Sequence, residues 1–303
     1  RQRQMCIRDR VGSNIAKNLS VQSYDICVVD KAVSKLKKLQ SEYDLAIVSG
    51  HASHPDVLKK AGIDSDTILI SVTNDDEVNI VACQIAKQIF DVKKTICRLS
   101  DSSYIKNLSA FGKEMIDIPI SPELEVTDHI IELIDHPGAE LIETFADGKV
   151  KLVSVKAKRG GKLVNRELKS IKNDIPDIDT FVPTIYRKNK AIVPDGNTVI
   201  KENDQVYFLS AEKNIDSILK EMRDQTVDSS RIMIVGGGMI GSSLASSLEN
   251  KYKVKVLETS LERCEMLSKD LNKAIVLNGD GSDEELLRSE NIENIDVFCA
   301  LTD

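Results

Sequence analysis

The chain has 303 residues, enough for two or three domains with cores of their own. Hydrophobic residues make up 41% and charged residues 29%, with a net charge of −7 and acids and bases interspersed. That balance excludes a nucleic-acid groove, which needs concentrated Lys and Arg, and no apolar run approaches the roughly 20 residues of a transmembrane helix, so membrane contact is expected to be indirect.

The chain opens on RQRQMCIRDR, residues 1–10. This decapeptide is too polar for a central strand and carries no turn glycine, so foreign or mis-assembled sequence is the expectation there. From Val11 onward helix and strand alternate. Asn14–Leu19 reads as a helix, Asp25–Val29 as a strand, and Val33–Glu42 as an amphipathic helix with Leu36 and Leu39 inward. Leu45–Val48 is a third strand, Pro55–Ala61 a helix opened by its proline, and Thr67–Val72 a fourth strand. Glu77–Phe90 sets Val78, Val81, Ile85 and Ile89 at helical spacing, and Thr95–Leu99, Tyr104–Phe111 and Met115–Ile118 follow as strand, helix and strand. Such alternation implies a doubly wound parallel sheet, whose ligands sit beyond the carboxyl ends of the strands.

Glu123–Ile134 is a helix closed by Pro137-Gly138, a natural linker. Short strands come next, at Glu140–Phe145, Leu152–Ala157, Thr184–Arg187, Ala191–Val193 and Gln205–Ser210, with a helix at Leu163–Ile171. Arg187-Lys188-Asn189-Lys190 makes a hairpin tip, Asn203-Asp204 a turn, and Asn214–Arg223 a returning helix.

Arg231–Gly241 reads Arg-Ile-Met-Ile-Val-Gly-Gly-Gly-Met-Ile-Gly and is the most telling stretch. Ile232–Val235 makes a buried strand that runs into Gly236-x-Gly238-x-x-Gly241, and Ser242–Leu248 continues as a small-residue helix. Gly236 allows the tight turn, Gly238 lets backbone approach a pyrophosphate, and Gly241 lets the helix lie close on the strand. Free N–H groups and the dipole at the helix start favour a phosphate. A second strand, Lys253–Leu257, ends on Glu258, about 20 residues past the first glycine, where a ribose-binding acid belongs.

The chain repeats this pattern. Gly12 matches Gly241, Gly50 matches Gly279 and Thr73 matches Thr302, each pair 229 positions apart, and Asp30 matches Glu258 with a one-residue slip. The architecture expected is α/β, with tandem Rossmann-like parallel sheets separated by a small α+β module. Its parts are a first nucleotide fold at 11–122 without its first strand, a linker helix at 123–138, the module at 139–222 and a second nucleotide fold at 229–303. The second copy stops after its fourth strand, Val297–Leu301, so the chain is expected to be a fragment.

Asp30 and Glu258 are the leading site candidates, since an acid there accepts both ribose hydroxyls and its charge disfavours a 2′-phosphate, which selects NAD(H). A solvated turn acid is the plain alternative. Gly50-His51 and Gly279-Asp280 follow the third strands, where they flank an adenine or simply make a turn. Thr73-Asn74 and Thr302 lie where a fourth strand ends beside pyrophosphate or nicotinamide ribose. Arg98 either reaches a phosphate or makes an internal salt bridge. The fingerprint adds Gly236, Gly237, Gly238, Met239, Ile240 and Gly241, with Val11 and Gly12 in the first copy.

Six cysteines, at 6, 27, 83, 97, 264 and 299, include no CxxC pair and read as small hydrophobes in a reducing compartment. His51 and His54 have no third ligand at metal spacing, so no metal site is expected. No histidine or lysine is paired with an acid for proton transfer beside a nicotinamide, and neither a GxSxG nor a GK[ST] sequence occurs.

Tandem fingerprint folds, each with an acid, Gly-[His/Asp] and Thr-[Asn/Asp], around a small α+β module resemble the TrkA (RCK/KTN) family of potassium-uptake regulators. Ser49-Gly-His-Ala-Ser-His-Pro-Asp-Val-Leu58, Ile232–Gly241 and Val297–Thr302 carry the resemblance, which covers residues 11–303. It implies a non-enzymatic cytoplasmic regulator on the inner face of the plasma membrane. Such proteins bind NAD+ or NADH, and in some members ATP or ADP. They form a homo-oligomeric ring beneath a potassium-translocating subunit of the TrkH or TrkG type. Carried over by position, Gly236, Gly238 and Gly241 hold one pyrophosphate and Glu258 its ribose, while Gly12, Asp30, Thr73, Asn74 and Arg98 belong to the other site. Without its first glycines, the first site is not expected to bind normally. An NAD-dependent dehydrogenase is the rival reading, and a redox-sensing repressor a third that lacks its basic winged helix.

Overall fold

A computed structural model describes residues 3–7, 10–22, 24–108, 115–171, 178–223 and 230–302. The chain divides into two compact units, Arg1–Glu125 and Val126–Asp303. The first holds a six-stranded parallel sheet. In chain order its elements are β1 (Arg3–Ile7), α1 (Arg10–Val21), β2 (Asp25–Asp30), α2 (Val33–Glu42), β3 (Ala46–Ser49), α3 (Pro55–Lys60), β4 (Ile68–Ser71), α4 (Asp76–Phe90), β5 (Lys94–Arg98), α5 (Ser102–Lys106) and β6 (Ile118–Ile120). The strand order is β3-β2-β1-β4-β5-β6, a Rossmann-like order that reverses direction at β1. Period-two alternation feeds two cores: Ile26 and Val28 of β2 face one, and Cys27 and Val29 the other.

Several sequence expectations change here. A strand stands at the centre of the sheet in the segment whose polarity argued against one. β1 pairs with Asp25–Val29 on one side and with Ile68–Ser71 on the other. Its neighbours are buried strands that each need a main-chain partner on that edge, and backbone pairing is indifferent to side-chain polarity. α4 buries Ile80, Ala82, Cys83 and Ala86, while Val81 and Ile89 of the anticipated apolar stripe are exposed. The close approach of α4 to the sheet favours its small side chains. The last strand shifts to Ile118–Ile120. The helix expected at Tyr104–Phe111 spans Ser102–Lys106, and residues 109–111 lie outside the described residues.

α6 (Pro122–Asp135) runs from the first unit into the second. The module of the second unit is an antiparallel sheet of β7 (Ala139–Phe145), β8 (Val150–Lys156), β9 (Thr180–Arg187), β10 (Lys190–Ile192) and β11 (Gln205–Ser210) in the order β10-β9-β11-β8-β7. α7 (Ile215–Glu221) packs Ile215, Ile218 and Leu219 on Val153, Val155, Ile185 and Phe208. The hairpin tip forms as expected, with Lys188 and Asn189 both left-handed, as a two-residue turn requires. The helix expected at Leu163–Ile171 does not form beyond a single 3-10 turn at Leu168–Ser170. Asn165 is left-handed (φ 65°), and its N–H donates to the Ile200 carbonyl at 2.7 Å, so the backbone is spent across the chain rather than along a helix.

The second nucleotide fold comprises β12 (Arg231–Val235), α8 (Met239–Leu248), β13 (Lys253–Glu258), α9 (Leu261–Asp270), β14 (Ile275–Asn278), α10 (Glu284–Ser289) and β15 (Val297–Ala300). Its parallel order, β14-β13-β12-β15, repeats the 3-2-1-4 core of the first. Ile130, Ile131 and Ile134 of α6 join its core beside Leu244 and Leu248. Cys27, Cys83, Cys97 and Cys264 are buried, as small hydrophobes are. Among the described residues no helix is long and apolar enough to cross a membrane.

Candidate functional site

The site is built at the carboxyl end of β12. Gly236 has φ +105°, and a Cβ there would meet the Leu301 carbonyl oxygen at 2.7 Å. Gly241 is tighter still: its Cβ would fall 1.9 Å from the Gly236 carbonyl oxygen, so the first turn of α8 lies directly on the loop. Around Gly238, the residue before α8, a Cβ would meet nothing within 4 Å. Two glycines are therefore demanded by packing, and the middle one leaves open space. A helix start with free N–H groups facing open space suits a phosphate. Met239 and Ile240 begin the helix, and Met239 is exposed.

Glu258 closes the other side. Its Oε2 accepts from the Gly237 N–H at 2.8 Å, and its Oε1 accepts from the Ser260 N–H at 2.8 Å and the Thr259 hydroxyl at 3.2 Å. The Ser260 N–H, then that of Gly237, hold its pKa below the ordinary carboxylate value against the cost of burial. Glu258 is thus a fixed anion at neutral pH. The cleft beyond it, about 280 Å³, is also lined by Gly279, Asp280, Gly281 and Thr302. A Cβ on Gly279 would strike Leu286 and one on Gly281 would strike Val235, each at 2.2 Å, so a side chain at either position would have to displace a neighbour. Asp280 turns inward on its own loop, accepting from the Ser282 N–H and hydroxyl at 2.8 Å each.

The first fold has a matching cleft of about 200 Å³, lined by Asp30, Gly50, Thr73 and Asn74 among others. Asp30 accepts from the Ala32 N–H at 2.7 Å, as Glu258 does from Ser260. Gly50 donates to the Asp30 carbonyl at 3.1 Å, and Gly279 donates to that of Glu258 at 2.9 Å. Val11 and Gly12 lie in α1, and residues 8 and 9 are outside the described residues. Two candidates have partners of their own. The His51 ring engages the Ser53 hydroxyl at 2.7 Å and packs edge-on against His54, and the cleft is lined by its neighbours Gly50 and Ala52. Arg98 pairs with Glu123, its Nη2 2.5 Å from Oε1, while its Nη1 donates to Asn74 Oδ1 at the cleft at 3.5 Å.

Three residues escaped sequence reading. Asn79, fully buried on α4, accepts from the Ser71 hydroxyl and from the N–H and hydroxyl of Thr73, and donates to the carbonyls of Thr73 and Arg98. It ties the ends of β4 and β5 together beneath the cleft. Buried Asp76 accepts from the N–H groups of Ser100 and Asp101. Their signal was polar residues three apart on the buried face of a helix. Arg263, on α9, donates from Nε to the Gly237 carbonyl at 3.0 Å, a contact no sequence spacing announces.

Comparison with known proteins adds relatives to this geometry. A family model described as the TrkA-N domain matches residues 8–122 and again 232–303, and the TrkA-C domain model matches 152–223. The chain is 44% identical over 295 residues to a Trk system potassium uptake protein TrkA of Halomonas elongata, covering 97% of this chain and 65% of that protein. A namesake from Vibrio alginolyticus is 44% identical over 296 residues, with the same coverage. The chain thus spans about 65% of the length of these relatives. Among solved structures, the GsuK channel bound to NAD matches with a TM-score of 0.69 at 14% identity, over 100% of this chain and 53% of that one. The human SLO3 gating ring matches at 0.55 and 13% identity, over 99% and 67%. These likenesses concern the fold.

Proposed function

The chain belongs to the TrkA family, and from that premise we propose that it is a nucleotide-sensing regulatory part of a Trk-type potassium uptake system. The observation that carries the proposal is the second cradle: open space at Gly238 facing an anchored Glu258 carboxylate. Gly236, Gly238 and Gly241 shape the place for a pyrophosphate, and Glu258 takes the ribose hydroxyls of NAD(H). The names of two fold relatives, GsuK bound to NAD and GsuK bound to ADP, support an adenine nucleotide as the ligand. Gly279, Asp280 and Thr302 line the remainder, and the first cleft offers Asp30, Gly50, Thr73 and Asn74 for a weaker counterpart.

Sensing fits this cleft better than turnover. Among its described lining residues there is no histidine, lysine or tyrosine to exchange a proton with a substrate, and both carboxylates are committed to backbone or hydroxyl donors. The regulatory step is a difference in affinity. A nucleotide that binds one arrangement of paired folds better than another shifts their populations, with a typical coupling of roughly 1–3 kcal/mol. Tandem folds in one chain imitate a two-fold pair, and such pairs close into rings on the inner face of the membrane, beneath a potassium-translocating subunit of the TrkH or TrkG type.

The test uses vesicles carrying such a subunit. NADH is expected to change the affinity of the chain for these vesicles while its absorbance stays constant. Oxidation of NADH on addition of a small substrate, or vesicle binding indifferent to nucleotide, overturns the proposal in favour of a dehydrogenase.

A further inference from the structure

Resting on the nucleotide reading of the second cleft, we infer that this site is a ready-made 2′-phosphate pocket plugged by its own Glu258 carboxylate, with Arg263 the residue that would bind the phosphate once the plug is removed. The donors around Glu258 are those a phosphate would want. The Gly237 N–H, the Ser260 N–H and the Thr259 hydroxyl converge on its two oxygens within 3.2 Å. A 2′-phosphate projects from the ribose toward the acid at the end of the second strand, and it brings three acceptor oxygens with close to two negative charges.

Arg263 supplies the countercharge. Its Nε donates to the carbonyl of Gly237, the residue whose N–H donates to Glu258, so guanidinium and carboxylate grip one glycine. Among the described residues no carboxylate pairs with the Arg263 side chain; Gly237 is its partner. Ser260, the N-cap of α9, accepts from the Arg263 N–H at 3.3 Å and fixes the turn that launches the side chain. The guanidinium still has terminal N–H groups to give, in the fork geometry that suits phosphate. Rejection of NADP(H) then rests on one side chain. Glu258 fills the donors and repels the phosphate, while everything that would welcome that phosphate stands in place.

The test is calorimetric titration of the chain with NADH and NADPH, comparing wild type with Glu258→Ala, Glu258→Gln and Glu258→Ala/Arg263→Ala, each checked for an unchanged thermal melt. The first cleft is common to all variants, so differences belong to the second. Wild type should prefer NADH. Glu258→Ala should gain at least about tenfold in NADPH affinity, the equivalent of roughly 1.4 kcal/mol, and lose NADH affinity. The double variant should lose the gain, and Glu258→Gln, whose side chain still fills the place of the phosphate and accepts from one donor with its single oxygen, should fall short of it. Should Glu258→Ala fail to fold, Glu258→Ser carries the same expectation. A Glu258→Ala protein that takes NADPH no better than wild type, or keeps its gain without Arg263, overturns the inference while the NADH site stands. Absence of NADH binding by wild type removes the nucleotide reading and this inference with it.

Discussion

The two nucleotide folds share a strand order, a carboxylate ending the second strand and a bare glycine after the third, yet they differ where a pyrophosphate would lie. At the common offset, Ile7, Arg8 and Asp9 stand opposite Gly236, Gly237 and Gly238. The first sheet nonetheless closes around β1, because main-chain pairing asks nothing of side chains. The cradle is different. It exists only where Cβ atoms are missing, since Gly236 and Gly241 would drive theirs into backbone oxygens. Sheet and cradle are separable, and the second fold has both.

The sharpest way to break the comparison is to separate packing glycines from the ligand glycine. Gly241→Val should cost more than about 4 kcal/mol and unfold the second nucleotide fold, since its Cβ lands 1.9 Å from backbone. Gly238→Asp, facing open space, should leave the thermal melt within about a degree of wild type. In the first fold, Asn79→Ala should cost about 2–3 kcal/mol in urea unfolding, because it strands the buried Ser71 hydroxyl and half-buried backbone groups of Thr73 and Arg98. Replacing Ile7, Arg8 and Asp9 together by glycine should raise NADH affinity at the first cleft by about tenfold, visible as a second binding event. The smallest effect concerns acid. Glu249, Glu258, Asp280 and Asp296 of the second fold all have lowered pKa values, that of Asp296 down to about 2 through the N–H groups of Ser230 and Arg231. Among the described residues of the first fold, Asp101 and Asp117 are lowered. Groups depressed in the folded state stabilise fully above their unfolded values and lose that contribution as pH falls through the folded ones. Hydrogen exchange should therefore show the second fold losing more protection than the first below about pH 4.

Most of the architecture was legible because periodicity and punctuation agreed. Alternation in Asp25–Val29, Pro55 at a helix start, and Lys188-Asn189 at a hairpin tip each name a backbone state, and each state forms. What was hidden depends on distant partners. Leu163–Ile171 has helical composition, but its backbone groups are claimed by the strand-like stretch at 198–200. β1 is a strand only because β2 and β4 flank it. At the site, Glu258 and the glycines were visible because their chemistry is local to one turn. Asn79 and Arg263 act across 19 and 26 positions of chain, on Arg98 and Gly237, and no local pattern encodes such a reach.

The central claim is that the second fold takes up an adenine dinucleotide at its glycine cradle. Calorimetric titration of NADH into the intact chain tests it most directly, run beside Gly238→Asp, which should fold normally and carries a negative side chain where the pyrophosphate would lie. The account predicts a saturable heat in the wild type that disappears in the variant. A flat wild-type titration, or equal heats from both proteins, would contradict it.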